Sequence, residues 1–425
     1  MGGRSSKGTA VGHVERIGRR GEATVSTPRG PVLAAFGLPG ERVRLGRIRR
    51  EGRHLRGRIE EVLEASPSRV DPPCPLYARC GGCPLMPMAA AAEREHKRTL
   101  VQRAVDPGRA PSTSVEWVGA DRELAYRRRA RLHYRRREGG LQLGYRRPRS
   151  HALVDVPACP VLVPGLNDAL AQVREQWLPH LEGEGEIRLG LGEGGRAVGW
   201  LGGRAAQPPG AYDAARRLVE SGAFAGVAMR VGGATAEAAF GDPREWATGA
   251  DGEPLIGPPG GFSQANEEVN RALVERVCQW AVPEGARVLE LYAGHGNLTV
   301  ALARRAASLV AVEQDAGAAA ACRDNLARRG LEATVQHTTA ERGAAGPPVD
   351  AAVLDPPREG AREALAGLQA RNPLRIVYVS CDPFTLGRDL RVLGAAGYHV
   401  RRAAAFDMFP QTAHVEAVAF LDRGA

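Results

Sequence analysis

Two residues near the carboxyl end of the chain have the type and setting for covalent and acid–base chemistry. Cys381 stands in Tyr378-Val-Ser380-Cys381-Asp382-Pro383, just beyond an apolar run. A cysteine at a strand's carboxyl end, flanked by polar Ser380 and Asp382, is a candidate nucleophile. The alternative, a small buried hydrophobe, suits Cys278 and Cys322, which lie within helix-like runs. Glu416 is surrounded by Val415, Ala417, Val418, Ala419 and Phe420. A carboxylate in such company is partly buried and costly, which marks it as functional rather than an ordinary surface acid.

A second group of residues suits a nucleotide-like ligand. Arg287-Val-Leu-Glu290-Leu-Tyr292-Ala-Gly294-His-Gly296-Asn297 reads as a strand entering a glycine-rich turn, and the glycines let the backbone approach a ligand. Glu313 closes the next apolar run 23 residues after Glu290, where an acid takes ribose hydroxyls. Asp355, in Val353-Leu-Asp355-Pro-Pro-Arg358, ends another run, and the rigid di-proline turn projects its carboxylate into the same cleft. The turn itself is not a Gly-x-Gly-x-x-Gly, and no phosphate-binding lysine follows it. S-adenosylmethionine therefore fits better than a dinucleotide or a triphosphate.

Four further cysteines suit a metal. Cys74, Cys80 and Cys83 are spaced C-x5-C-x2-C, with Gly81 and Gly82 in the turn, and Cys159, fixed by a strand-like run and Pro160, is the candidate fourth ligand. Zinc and a 4Fe–4S cluster both accept four thiolates. The spacing departs from the paired C-x2-C knuckles of zinc ribbons and from the C-x3-C-x2-C of radical S-adenosylmethionine enzymes. Residues 127–149 hold ten arginines, interleaved with His133, Tyr134 and Tyr145. Arginine pairs with phosphates and stacks on bases, and tyrosine adds stacking surface, so the segment reads as a nucleic-acid contact.

The elements that must position these groups follow from pattern. Residues 9–64 hold five short alternating runs separated by Gly- and Pro-containing turns, which predicts a small β-barrel of the oligonucleotide-binding type. A helix is predicted over about 91–105. Residues 125–255 mix strands with glycine-rich turns and show no clear 3.6 period. From about 262, helical stretches alternate with apolar strands, which predicts a doubly wound parallel sheet with ligands at its carboxyl edge. The chain has 425 residues, 43% hydrophobic and 25% charged, enough for several folded domains and against wholesale disorder. Its net charge of +10 points weakly to polyanions, and the arginine cluster gives that charge a location. No apolar stretch of about 18 residues exists and the first residues lack a signal-peptide core, so the expectation is a cytoplasmic, monomeric protein with reduced thiols.

Together these residues resemble the RNA uracil-5-methyltransferase family, in its form with an N-terminal TRAM domain and an iron–sulfur cluster. Leu38-Pro-Gly-Glu41, Ser66-Pro-Ser-Arg-Val-Asp-Pro-Pro-Cys74, Cys80-Gly-Gly-Cys83, Tyr126-Arg-Arg-Arg-Ala-Arg, Phe262-Ser-Gln264-Ala-Asn266, Ser380-Cys-Asp-Pro383 and His414-Val-Glu416 carry the resemblance. It implies three parts: a TRAM-like RNA-binding barrel over 1–67, a cluster-bearing central domain over 68–90 and 119–255, and a Rossmann-like methyltransferase domain over 91–118 and 256–425. It implies S-adenosylmethionine held by Gln264, Tyr292, Gly294, Gly296, Asn297, Glu313 and Asp355. It also implies Cys381 as nucleophile, Glu416 as general base, a 4Fe–4S cluster rather than zinc on the four cysteines, and RNA contacts by Arg127, Arg129, Arg131, Tyr134 and Arg135. The substrate it favours is 23S rRNA, with tRNA as the alternative. Two rivals stand beside it. One is a metal-containing RNA-binding protein with a vestigial cofactor fold. The other, suggested by Asp355-Pro-Pro, is an amino-group methyltransferase, which needs no nucleophile. The chain departs from the family pattern at Ala293, often Cys, at Glu290, where Asp is common, and at Met86-Pro-Met88, where a Gln-His pair is usual. The polar residue expected to contact adenine after the third strand has no clear match near Thr338-Thr-Ala-Glu341.

Overall fold

A computed structural model describes residues 8–106, 113–137, 140–283 and 285–423, in two compact units. The first comprises Met1–Lys97, Tyr145–Val156 and Phe409–His414. Its five strands, Gly8–Ile17, Glu22–Ser26, Val32–Ala35, Arg42–Glu51 and His54–Glu64, close into a barrel. Alternation turns Val14, Ala23, Val25, Val32, Ala34, Val43, Leu45 and Ile48 inward as one core. The motif Leu38-Pro-Gly-Glu41 has a physical reason here. The Glu41 carboxylate has no exposed surface, accepts from the Leu38 N–H at 2.9 Å, and pairs with Arg69, which also donates to the Phe36 carbonyl at 2.9 Å. One buried ion pair thus ties the third-to-fourth strand turn to the chain leaving the barrel.

The second unit comprises Arg98–Gly144, Pro157–Met408 and Val415–Ala425. Part of it is a sheet in which Ala238–Gly241, Phe224–Val231, Ala197–Gly203, Glu184–Leu191, Ala130–Arg137 and Gly140–Arg146 lie side by side in that order. Two helices, Pro164–Gln172 and Pro209–Glu220, lie in this region, where the sequence shows no clear 3.6 period. The second buries Ala211, Ala214, Ala215 and Leu218 and exposes Asp213, Arg216 and Arg217, so a 3.6 period is present here that the strands and glycine turns around it obscure.

The rest is an eight-stranded sheet in the order Thr334–His337, Ser308–Glu313, Arg287–Leu291, Ala351–Leu354, Arg375–Ser380, Glu416–Arg423, Tyr398–Phe406, Val115–Val118. The first five strands run parallel, each reached through a helical crossover. Glu416–Arg423 then runs antiparallel to both of its neighbours. Residues such as Leu289, Leu291, Leu354, Ile376, Tyr378 and Leu421 are fully buried, as expected of strands covered on both faces. Among the described residues no helix is long and apolar enough to cross a membrane.

The Glu41–Arg69 pair yields a stability prediction. Glu41→Ala leaves Arg69 and the Leu38 N–H without their buried acceptor, so urea unfolding should show a loss of about 3–5 kcal/mol. A loss under about 1 kcal/mol, typical of a surface pair, would contradict this account of the turn.

Candidate active site

Parallel topology delivers most of the predicted residues to one edge. Tyr292 follows the strand Arg287–Leu291, Glu313 ends Ser308–Glu313, Asp355 follows Ala351–Leu354 and Cys381 follows Arg375–Ser380, so all four stand at carboxyl ends of neighbouring parallel strands. Glu416 reaches the same edge from the opposite direction, as the first residue of an antiparallel strand. The register pairs Ser380 with Ala417, which sets the next residue, Cys381, across from Glu416.

Each group is held by its surroundings. Cys381 precedes the helix Pro383–Ala395, whose N-cap Asp382 accepts from the Phe384 and Thr385 N–H groups at 2.9 and 3.4 Å. Ser380 Oγ accepts from the Asp382 N–H at 3.2 Å and donates to the Asp382 carbonyl at 3.1 Å, fixing the backbone on both sides of the thiol. The turn after Asp355 is pinned from below. The Ala361 N–H donates to Asp389 Oδ2 at 2.9 Å and to the Tyr378 hydroxyl at 3.0 Å, and that hydroxyl donates to Asp389 at 2.7 Å. Arg388 ties the Glu359 carbonyl to the same carboxylate.

The electrostatics are those of a dry edge crowded with acids. Burial pushes the Cys381 thiol up to about 12, and the negative charges of Glu416, Asp355 and Asp382 add to that while Arg358 opposes it. Glu416 is 4% exposed. Burial, then Asp355, raises its carboxyl to about 8, again opposed by Arg358. Burial raises half-buried Asp355 to about 7. A nucleophile and an acid that must both lose protons thus share one neighbourhood, and Arg358 is the charge favouring both ionised forms.

The glycine turn forms the other half of the edge. Tyr292 has φ +67°, unusual for a side-chain-bearing residue and a mark of functional strain. The Gly294 N–H donates to Glu313 Oε2 at 2.8 Å, and Glu313 Oε1 accepts from the Asp315 N–H at 2.7 Å. A Cβ added at Gly294 would meet nothing within 4 Å, so the turn leaves open space where a ligand could approach. Gln264, Asn297, Asn270, His295 and Trp246 are among the residues lining a small pocket, and Gln264 Oε1 is buried with no hydrogen-bond partner among the described residues. An orphaned acceptor and an open glycine cradle are what a cofactor site shows when its residues fit the group. Asn297 and Asn270 exchange two hydrogen bonds of 2.9 Å each.

Two residues here were missed by sequence reasoning, and a third, Glu290, was read only as a departure from the family pattern. Asn270 follows the N-cap Asn266 by one turn, and that polar residue on a buried helix face was the available signal. His295 lies inside the glycine motif, 6% exposed, its ring held neutral by burial, which lowers it to about 4. Glu290 is 1% exposed, and burial raises its carboxyl to about 8. Its apolar neighbours Leu289 and Leu291 give it the same sequence signal that marks Glu416.

The arginine segment divides. Arg131 and Arg135 lie on the strand Ala130–Arg137 and pair with Glu186 and Glu184. Arg127 donates to the Arg129 carbonyl at 3.0 Å. Arg129 turns inward, donating to the Ser263 and Gly261 carbonyls at 2.8 and 2.7 Å beside Gln264. Tyr134 is 1% exposed, its hydroxyl 3.3 Å from both Gln207 Nε2 and the Glu182 carbonyl, so it packs in the core and has no surface to stack on a base. Alternation along the strand buries Tyr134, which composition alone counts as part of a basic patch, while Arg129, just before the strand, is half-buried.

The four cysteines are half-buried and none forms a disulfide. Cys74 and Cys80 lie on successive tight turns, the Tyr77 N–H bonding the Cys74 carbonyl at 3.0 Å and the Cys80 N–H the Leu76 carbonyl at 2.9 Å. Cys159 is held separately, through Asn167. The donor chemistry suits a thiolate-bound metal, and among the described residues no group of three or more His, Cys, Asp or Glu is gathered to hold one.

Fold and edge together define a methyltransferase of the S-adenosylmethionine-dependent type. The whole chain superposes on the crystal structure of the Pyrococcus abyssi tRNA (uracil-54, C5)-methyltransferase in complex with S-adenosyl-L-homocysteine, with a TM-score of 0.76 and 22% identity, covering 97% of this chain and 100% of that one. Residues 348–424 match the family model described as tRNA (Uracil-5-)-methyltransferase. The chain is 37% identical to the 23S rRNA (uracil(1939)-C(5))-methyltransferase RlmD of Chromohalobacter salexigens, over 96% of this chain and 88% of that protein. It is 35% identical to the protein of the same description from Alkalilimnicola ehrlichii, over 91% of each. The chain belongs to the RNA uracil-5-methyltransferase family.

The glycine turn yields a binding prediction. Gly296 has φ +99°, and a Cβ there would lie 3.2 Å from Cys322 Sγ. Gly296→Ala should weaken S-adenosylhomocysteine binding, measured by calorimetry, by about 5- to 30-fold, from left-handed strain of about 1–2 kcal/mol. Unchanged affinity would remove the turn from the cofactor site.

Proposed function

We propose that the protein methylates C5 of uracil in RNA, using S-adenosylmethionine, and that its substrate is 23S rRNA. The observation that carries the reading is the register setting Cys381 across from Glu416 beside Asp355. The relatives' names supply the RNA. Gln264, Tyr292, Gly294, Gly296, Asn297, Glu313 and Asp355 would hold the cofactor, which supplies the methyl group when bound. The protein acts in the cytoplasm, where ribosomal RNA is available.

The chain's own residues do the rest. Uracil C5 is a poor nucleophile. The Cys381 thiolate adds to C6, and the resulting enolate makes C5 nucleophilic. Once C5 carries the methyl group, Glu416 takes the C5 proton, the electrons of that bond form the C5–C6 double bond, and Cys381 leaves as thiolate. The base must leave its stack to reach this edge. Arg127, Arg131 and Arg135 hold the flanking RNA; the surface pairs of Arg131 and Arg135 with glutamates are weak enough to exchange for phosphate. The barrel over 1–67 adds RNA contact as a TRAM-like domain. Residues 68–90 and 119–255 form the cluster-bearing part, and 91–118 and 256–425 the catalytic part. Cys74, Cys80, Cys83 and Cys159 would hold a 4Fe–4S cluster, whose contribution is to tie distant segments together; their donor set and spacing support this, and no catalytic step passes through it.

Two experiments test the reading. RNA containing 5-fluorouridine cannot release a C5 proton, so the wild type should form a denaturant-stable protein–RNA adduct with S-adenosylmethionine. Cys381→Ala should form none, and an undiminished adduct would sink the nucleophile assignment. Both Cys381 and Glu416 act deprotonated, and burial raises both. The kcat/KM should therefore climb between about pH 6 and about pH 9; a flat profile would contradict the assignment.

A further inference from the structure

Residues 409–414 form a short strap between Met408 and Val415, both fully buried, and the strap leads within two residues to Glu416. It folds on itself. Thr412 Oγ donates to the Phe409 carbonyl at 2.8 Å, the His414 N–H donates to Thr412 Oγ at 3.2 Å, and Gln411 sits at φ +72°. Such a turn leaves backbone groups needing partners elsewhere.

Those partners are unusual ones. Lys97, on the helix Ala90–Val105, has no exposed surface, and its Nζ donates to the Phe409 carbonyl at 3.0 Å. It pairs at 2.6 Å with Glu93, one helical turn earlier and 4% exposed, and Glu93 Oε1 accepts from the Gln411 N–H at 2.8 Å. The Leu85 N–H donates to the Gln411 carbonyl at 3.0 Å. A buried lysine–glutamate pair is a poor way to stabilise a fold, because desolvation offsets the attraction and apolar side chains of like volume serve as well. What this pair does that apolar residues cannot is hold two backbone groups of the strap.

We infer that Glu93 and Lys97 are positioning residues for Glu416: they fix the strap whose exit carries the base. The inference rests on Glu416 being the base that releases the product. A displacement of about 1 Å in a reacting group can cost about 100-fold in rate. Loosening the strap strands the reaction at its last step, with C5 methylated, the C5 proton in place and the Cys381–C6 bond unbroken.

The test uses the full-length protein, a 23S rRNA transcript with ordinary uridine, and S-adenosylmethionine labelled in its methyl group. The readouts are turnover, KM for RNA, and labelled RNA that stays with the protein on a denaturing gel. Glu416→Gln checks the base assignment and should trap labelled adduct; if it traps none, that assignment fails. Lys97→Met takes away the cation that faces the Glu93 carboxylate, so Glu93→Gln/Lys97→Met is made beside it, neutral and still able to accept from Gln411. Where Glu416→Gln traps adduct, both variants should turn over about tenfold or more slowly, with RNA KM within about threefold, and should also accumulate labelled adduct. Slow turnover without adduct, or wild-type turnover in the folded double variant, would overturn the inference and leave the base assignment standing.

Discussion

The site depends on one backbone register. Five parallel strands bring acids and a thiol to a common edge, but parallel strands alone cannot bring a residue from the far end of the chain to face Cys381. The last strand does so by running backwards beside Arg375–Ser380, with Ala417 paired to Ser380. A slip of one residue would turn Glu416 to the other face of the sheet. The apolar residues that follow, from Ala417 to Ala419, are buried against their neighbours on both sides and make that slip costly.

Burial then sets the chemistry. Burial raises Glu290, Asp355 and Glu416 toward neutrality, and the Asp355 charge adds to the cost of ionising the other two. Such an edge suits a cationic ligand, which S-adenosylmethionine is, and a base that takes a proton near neutral pH. Arg358 is the charge that keeps Cys381 and Glu416 from drifting further from use.

Much of this was legible in the sequence. The barrel announced itself by alternation and turn residues, and the catalytic sheet by apolar runs ending in Tyr292, Glu313, Asp355 and Cys381. The carboxyl-terminal setting of Glu416 could be read from its apolar neighbours. What pattern could not give was pairing. Nothing in a single chain says that Glu416 faces Cys381, that Asn270 clasps Asn297, or that Arg129 turns inward beside Gln264 while Arg131 and Arg135 pair with glutamates on the neighbouring strand. Tyr134 shows the limit of composition: it sits among arginines in sequence and in the core in space. The helix Pro209–Glu220 was legible too, with Ala211, Ala214, Ala215 and Leu218 buried opposite exposed Asp213, Arg216 and Arg217, but it is short and lies among strands and glycine turns.

The central claim is that Cys381 and Glu416 act in sequence on one uracil. Release of tritium from RNA carrying uracil labelled at C5 tests it most directly, because C5–H cleavage needs first the cysteine adduct and then the base. The account predicts one tritium released per methyl group gained by the wild type, and none from Cys381→Ala. Tritium release by Cys381→Ala at the wild-type rate would contradict it.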